Sequence, residues 1–332
     1  MQQKVSLPRL AGSSARRQTA LVLISGGVNY YYDDVGRRVA EGLTNLGFQV
    51  DVRTLRQYKD AEYDWVFTIP IVEVFYTYGP QETALNRMTQ VLRRANHSVH
   101  VMLECVYTHW FKSAWTLFNQ LKMDTMLDLG LHDQSIGLTN DRAFMRAGYH
   151  FMLNGLTQRE RQLGQRWLAE VVDRPIPWAF IGHSEPVRAR FARYLVENLA
   201  SNGLIYMPQL THITEDGPHL NGQQMQQILE KTEFFIWRTH HDYFYMESER
   251  FRNALYAGTV PIKVMDTSLI DEQEEQIVPF RNLMIEEDDL AATLHTMPYE
   301  ATRQAFIREF MTLPSFETGL QTLIAERAGV HV

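Results

Sequence analysis

The chain of 332 residues has a single cysteine, Cys105, so no disulfide can form within it. That suits a reducing compartment. Set in HVMLECVY, Cys105 reads as a small buried apolar residue rather than a nucleophile. No long lysine-arginine run occurs and the formal net charge is −7, which argues against a general nucleic-acid binder. A small acidic ligand would still need only one or two arginines. No run of about 18 apolar residues exists, so no spanning helix is expected. The start, MQQKVSLPRLAGSSARRQ, lacks the apolar centre of a secretory signal. Residues 1–17 are expected to form a loosely held tail, and the expected location is cytoplasmic. Paired cysteines and His-x-x-x-His are also missing. His240-His241-Asp242 does not replace them, because neighbours in a strand point to opposite faces. No metal site is expected.

What is present is a balanced globular composition, 45% hydrophobic and 21% charged, long enough for two domains. TALVLIS (19–25), QVDVRTL, DWVFTIP (64–70) and HSVHVMLE (97–104) read as strands. Helices are expected over about 34–46 and 81–95. After the turn DRPIP a second series begins with the strand IPWAFIGH (176–183). It continues with a helix at 187–201, the strand LIYM, a helix at 222–231 and the strands FFIW and VPIKV. From about 288 onward the chain reads as helices. Strands alternating with helices imply parallel sheets covered on both faces. The expected fold is α/β, with two Rossmann-like domains over 18–173 and 174–332. Ligands of such sheets lie outside the carboxyl ends of the strands, so a cleft between the domains is the expected site.

The most informative segment is ESERFRNALYAGTVPI (247–262). It reads as a short helix with Ser248 as its cap, Gly258 as a left-handed stop and Pro261 preventing continuation. Phe251 and Leu255 face a core, while Glu249 and Asn253 share another face. Its first turn offers backbone amides beside Glu249 and Arg250, which suits a phosphate and a ribose.

The stretch Gln223–Val264 resembles the donor-site core of GT-B glycosyltransferases, most of all the exostosin-like and α1,3-fucosyltransferase-like groups. The resemblance rests on Ser248-Glu249-Arg250-Phe251, Asn253-Ala254-Leu255, Gly258 and Pro261-Ile262. It covers the rest of the C-terminal half loosely and the N-terminal half in architecture only. Asn253, where the exostosin-like pattern has glutamate, favours the fucosyltransferase-like group. The resemblance implies a GT-B fold and transfer of a sugar from a GDP- or UDP-linked nucleotide-diphospho-sugar to an acceptor hydroxyl. The acceptor classes left open are a glycan, a lipid-linked molecule, a natural product or a protein. Glu249 would accept the ribose hydroxyls and Arg250 would neutralise the diphosphate. FIGHSEPVRARFARYL (180–195) resembles the first strand, glycine turn and helix of the same donor domain. It marks Gly182 and Arg190 as donor-binding, with Arg188 second to Arg190. His240 or His241 would line the donor pocket.

Inversion needs a base for the acceptor hydroxyl. Glu104, closing a strand, stands where fucosyltransferase-like proteins carry a strand-terminal glutamate, although Cys105 and Val106 depart from their pattern. Asp33, Asp34 and Glu73 are rivals. Tyr30-Tyr31-Tyr32, with Tyr76 and Tyr78, form a candidate acceptor platform, and Tyr31 and Asp33 are the acceptor-side candidates. No metal or cofactor is required by this chemistry. One alternative is a non-catalytic nucleotide-sugar-binding protein of the same fold. Another is an NAD-dependent oxidoreductase, since Gly26-Gly27 follows a strand and precedes Asp51. Asn29 and Tyr31 nevertheless occupy positions where G-x-G-x-x-G needs glycine.

Overall fold

The computed structural model describes residues 17–26, 30–69, 74–75, 78–103, 108–131, 148–182, 184–208, 220, 222–239, 243–270 and 278–329. The N-terminal sheet comprises β1 (Thr19–Leu23), β2 (Gln49–Arg53), β3 (Tyr63–Thr68), β4 (Ala95–Met102), β5 (Thr125–Gly130) and β6 (Tyr149–Leu153). Its order is β2-β1-β3-β4-β5-β6, with every pairing parallel. The second sheet comprises β7 (Ile176–Ile181), β8 (Leu204–Tyr206), β9 (Thr232–Arg238), β10 (Val260–Val264) and β11 (Met284–Ile285). Its order, β11-β10-β9-β7-β8, is again wholly parallel. Parallel pairing demands crossovers, and helices supply them. In the N-terminal half these are α1 (Tyr30–Asn45), α2 (Gln81–Leu92) and α3 (His109–Leu121). Then come α4 (Gln158–Ala169), α5 (Pro186–Asn198), α6 (Gly222–Leu229) and α7 (Ser248–Ala257). Three helices close the chain, α8 (Leu290–Thr296), α9 (Tyr299–Met311) and α10 (Phe316–Arg327). Two parallel α/β units are therefore present, as a GT-B fold requires. No helix among the described residues is long and apolar enough to cross a membrane.

Side-chain packing crosses the expected boundary at residue 173. Trp167 of α4 and the preceding Leu156 are buried in the core of the second unit, with Trp237, Phe251 and Phe310. Conversely, Phe316, Leu320 and Leu323 of α10 are buried with Val22, Val39, Phe67 and Val101 of the first. The chain thus crosses at 154–157 and returns at 313–316. The two crossings lie side by side, with Leu156 N–H donating to Pro314 O at 2.9 Å and Phe316 N–H to Leu156 O at 3.0 Å. The proline turn DRPIP is a local break in the chain, and a local break need not be a break in packing. Arg174, within it, donates to the carbonyls of Leu229, Thr232 and Ala257 and so staples the turn to the second unit.

Gly258 ends α7 as expected, at φ 61 and ψ 25, with its amide turned back to the helix. A Cβ there would lie 2.5 Å from Trp167 Cδ2. Gly258→Ala combines a left-handed alanine with overpacking, and is expected to cost about 2–3 kcal/mol by urea unfolding.

His100 of β4 is fully buried, with Nδ1 3.0 Å from the Thr68 hydroxyl and Nε2 without a hydrogen-bond partner among the described residues. Burial lowers its pKa from 6.5 to about 3, against a smaller opposing pull from its bond to Thr68. The unfolded chain therefore binds a proton that the folded chain refuses. Stability is full above pH 6.5 and falls as the pH drops towards 3. About 2 kcal/mol should be lost by pH 5, and His100→Gln should flatten that slope in denaturation measured from pH 7 to 5.

Candidate functional site

In the second sheet the strand order reverses between β7 and β9, and the crevice outside their carboxyl ends is where such a sheet takes a ligand. α5 and α7 both begin beside it, and each brings an arginine as its third residue, Arg188 and Arg250. Arg188 lies over Gly182, so closely that a Cβ there would touch its Cδ at 3.4 Å. Arg250 Nη1 donates to Ile181 O at 3.1 Å. The two guanidiniums thus converge on the last residues of β7. Burial and then the charge of Arg250 lower the Arg188 pKa, opposed by Glu247, Glu185 and Tyr31. Arg190, preferred from the sequence, is exposed on the outer side of α5, whereas Arg188 is 2% exposed. Position decides this: residue three of a helix can turn back over its N-terminus, and residue five points elsewhere.

Glu247 anchors the pair. Its backbone is left-handed, φ 53 and ψ 49, at the cap position of α7. Its carboxylate accepts from Lys263 Nζ at 2.8 Å, Trp237 Nε1 at 3.0 Å and Arg250 Nε at 3.2 Å. Burial pushes this carboxyl up, but Lys263, Arg250 and Arg188 outweigh it and hold it well below the usual carboxylate range. Ser248, expected as the cap, is instead the buried first residue of the helix. Lys263, fully buried in β10, draws the chain into this shape. Nothing local in MESERF signals that distant lysine.

Glu249 occupies another face of α7, and its partners come largely from the other unit. Arg38 Nη1 of α1 lies 3.2 Å from Glu249 Oε1, and Asn154 Nδ2 donates to the same oxygen at 2.6 Å. The network continues inward. Glu160 Oε1 meets Arg38 Nε at 3.1 Å and Arg252 Nη1 at 2.9 Å, and accepts from the Tyr256 hydroxyl. Arg252 also donates to Asn154 O and, at 3.1 Å, to Gly155 O. Glu160 further closes the capping box of α4 with Thr157. Two arginines and two carboxylates are thus shut away where the chain crosses between units. Burial raises the Glu160 carboxyl, yet Arg252 and Arg38 bring it down to about 2.

On the N-terminal side, Asp33 is 1% exposed and accepts from Ser25 N–H and Oγ, both at 2.8 Å. It ties the first turn of α1 to Ser25, just beyond β1. Tyr31 stands in the first turn of α1, within electrostatic reach of Arg188. A second contact joins the two carboxyl edges: the Tyr245 hydroxyl, before α7, donates to Leu103 O at the end of β4 at 2.7 Å. Glu104, Cys105, Glu73, Tyr76, His240, His241 and Asp242 lie outside the described residues, as does the Tyr30 side chain. Asp51 sits mid-strand in β2 opposite Leu21 and accepts from the Tyr63 hydroxyl at 2.6 Å. A ribose-binding acid is needed at a strand end, so the dinucleotide reading loses its second support.

A cleft of about 380 Å³ runs between α1, α4, α6 and α7. Asn253, grouped with the donor residues from the sequence, lines this cleft, and Gly182, Arg188 and Arg250 do not. Asp34 is on its wall, paired with Arg37 at 2.6 Å and with its carboxyl raised by burial.

No protein-family model matches the chain, and no curated protein does. Among solved structures it is similar to the glycosyltransferase SnogD from Streptomyces nogalater, at 11% identity and a TM-score of 0.43. The match covers 94% of this chain and 100% of that one. A likeness that weak carries no weight for the site or its reaction.

Proposed function

We propose that the protein is a glycosyltransferase that binds a nucleotide-diphospho-sugar at the carboxyl edge of the second sheet. The observation that carries this reading is the convergence of Arg188 and Arg250 on Ile181 and Gly182, between the N-termini of α5 and α7. Two helix starts and two guanidiniums around one crevice suit a diphosphate, as each supplies donors and positive potential. The resemblance of residues 223–264 to GT-B donor cores points to the same helix. In the reaction the acceptor oxygen attacks the anomeric carbon and its proton passes to a base. The bond from that carbon to the β-phosphate oxygen breaks, and the nucleoside diphosphate leaves with the electron pair. Arg188 and Arg250 stabilise the charge that develops on it. Glu104 is the proposed base, one residue beyond the Leu103 carbonyl that ties β4 to the donor side. Glu249 reaches a ribose in this scheme only by exchanging its bonds to Arg38 and Asn154.

Thermal shift with UDP, GDP and NAD tests the reading, since a ligand of the native state raises the melting temperature by mass action. Stabilisation by UDP or GDP is expected, and by NAD alone would overturn it. Transfer lost in Glu104→Gln with nucleotide binding intact supports that residue as base. A nucleotide-bound protein without transfer to any acceptor hydroxyl would be the non-catalytic alternative.

A further inference from the structure

Residues 243–246, which lead into α7, lie between the two cores, and their side chains alternate between them. Phe244 and Met246 are buried in the core of the second unit. Tyr243 and Tyr245 pack instead on the core of the first, which includes Met102, Phe111 and Phe118. Successive side chains of an extended segment point to opposite sides, so four residues suffice to touch both cores. Both sides of this strap are also held by polar bonds. Lys263, fully buried in β10, donates from Nζ to the Tyr245 carbonyl and, at 2.8 Å, to Glu247 Oε2. Its Nζ lies 5.9 Å from the centre of the Phe244 ring. Glu247 accepts from Arg250 Nε at 3.2 Å, and Arg250 Nη1 reaches Ile181 O at 3.1 Å. On the opposite side the Tyr245 hydroxyl donates to Leu103 O, just past β4, at 2.7 Å. Tyr245 therefore meets the lysine that anchors the arginine pair through its carbonyl, and the carboxyl end of β4 through its hydroxyl.

Arg38, Asn154 and Glu249 join the units elsewhere, at the chain crossing beyond β6. β4 is two strands from β6 in the sheet, roughly 10 Å away. A single tie leaves two bodies able to rotate about it, and a second tie at a distance removes that rotation. We propose that Tyr245 is a positioning residue for the transfer step, its hydroxyl fixing the carboxyl end of β4 relative to Arg188 and Arg250. This rests on the donor reading above, in which the base follows Leu103 in sequence and the leaving diphosphate sits on the arginine pair. Reacting groups supplied by two units must come within about 3–3.5 Å of each other, and a misplacement of about 1 Å costs up to about 100-fold in rate. Turnover depends on Tyr245, and nucleotide affinity does not.

Tyr245→Phe removes one oxygen and keeps the ring against the first core. Calorimetry with UDP and GDP should give dissociation constants within about two-fold of the unsubstituted protein. Nucleotide release from UDP-glucose, UDP-N-acetylglucosamine, GDP-mannose or GDP-fucose, with water as acceptor, should slow about 10- to 100-fold, with kcat falling and KM held. Unchanged release overturns the proposal. So does an affinity that falls in step with the melting temperature, which marks a bond that only supports the fold. Where nucleotide binds and no donor turns over, hydrogen exchange decides. Nucleotide should then slow exchange of the amides at 99–103 in the unsubstituted protein and not in Tyr245→Phe, and equal protection in both overturns the proposal. Absence of nucleotide binding by the unsubstituted protein overturns the donor reading, and the proposal with it. Any of the other contrary results, with nucleotide bound, overturns the proposal alone.

Discussion

Glu160→Gln is expected to lower the unfolding free energy by about 3–5 kcal/mol, the cost of breaking a buried ion pair from one side. The carboxylate meets Arg38 at 3.1 Å and Arg252 at 2.9 Å, and all three side chains are 5% exposed or less. Removing it leaves two buried guanidiniums that share, among the described residues, one remaining carboxylate, Glu249. Glutamine keeps the volume and an acceptor for Tyr256, so the loss reports charge rather than a cavity. Proton linkage at the same carboxyl leads to a second expected loss. A carboxyl brought from 4.5 to about 2 is deprotonated more readily when folded. It contributes stability above pH 4.5 that is lost as pH falls through 2, amounting to roughly 3 kcal/mol. The acid transition should therefore have two stages, an onset below pH 6.5 from His100 and a further loss below 4.5 from Glu160. Urea midpoints across that range check both. A Glu160→Gln variant within about 0.5 kcal/mol of the parent, the usual effect of a surface change, would mean that the cluster is hydrated.

The second large effect is on the diphosphate. Arg188→Ala and Arg250→Ala are each expected to raise the dissociation constant for UDP or GDP about 10- to 100-fold, from the 1.5–3 kcal/mol of a charge-assisted bond. Lysine at either position should recover only part, because one ammonium cannot reproduce a planar fork. Arg190→Ala should change nothing, as that side chain is exposed. Glu247→Gln should weaken binding through Arg250, whose Nε it holds at 3.2 Å. Equal losses in Arg190→Ala and Arg188→Ala would reduce the pair to diffuse charge and overturn the site.

Parts of this molecule were legible residue by residue. Apolar runs such as ALVL and WVF marked strands, since a parallel sheet covered on both faces needs apolar residues throughout. Gly258 before Val260-Pro261 marked the end of α7, because helix stops depend on local backbone freedom. The helix within ESERFRNALYAGTVPI (247–262) is legible in the sequence, but its cap is not. Capping by Ser248 is the local rule, and Lys263, fifteen residues later, overrides it through Glu247. Likewise RARFAR offered three arginines without saying which faces the sheet.

By itself, then, the sequence determined the α/β alternation, the two parallel units and an anion-suited helix at 248–257, all of which follow from local periodicity and turn chemistry. The tertiary structure decided which arginine packs over Gly182, why Glu249 is held by Arg38 and Asn154, and that the units exchange α4 and α10 across residues 154–157 and 313–316. Those outcomes depend on contacts between residues as much as 211 positions apart. Burial decides them, since a charge removed from water must find its partner wherever the fold brings one.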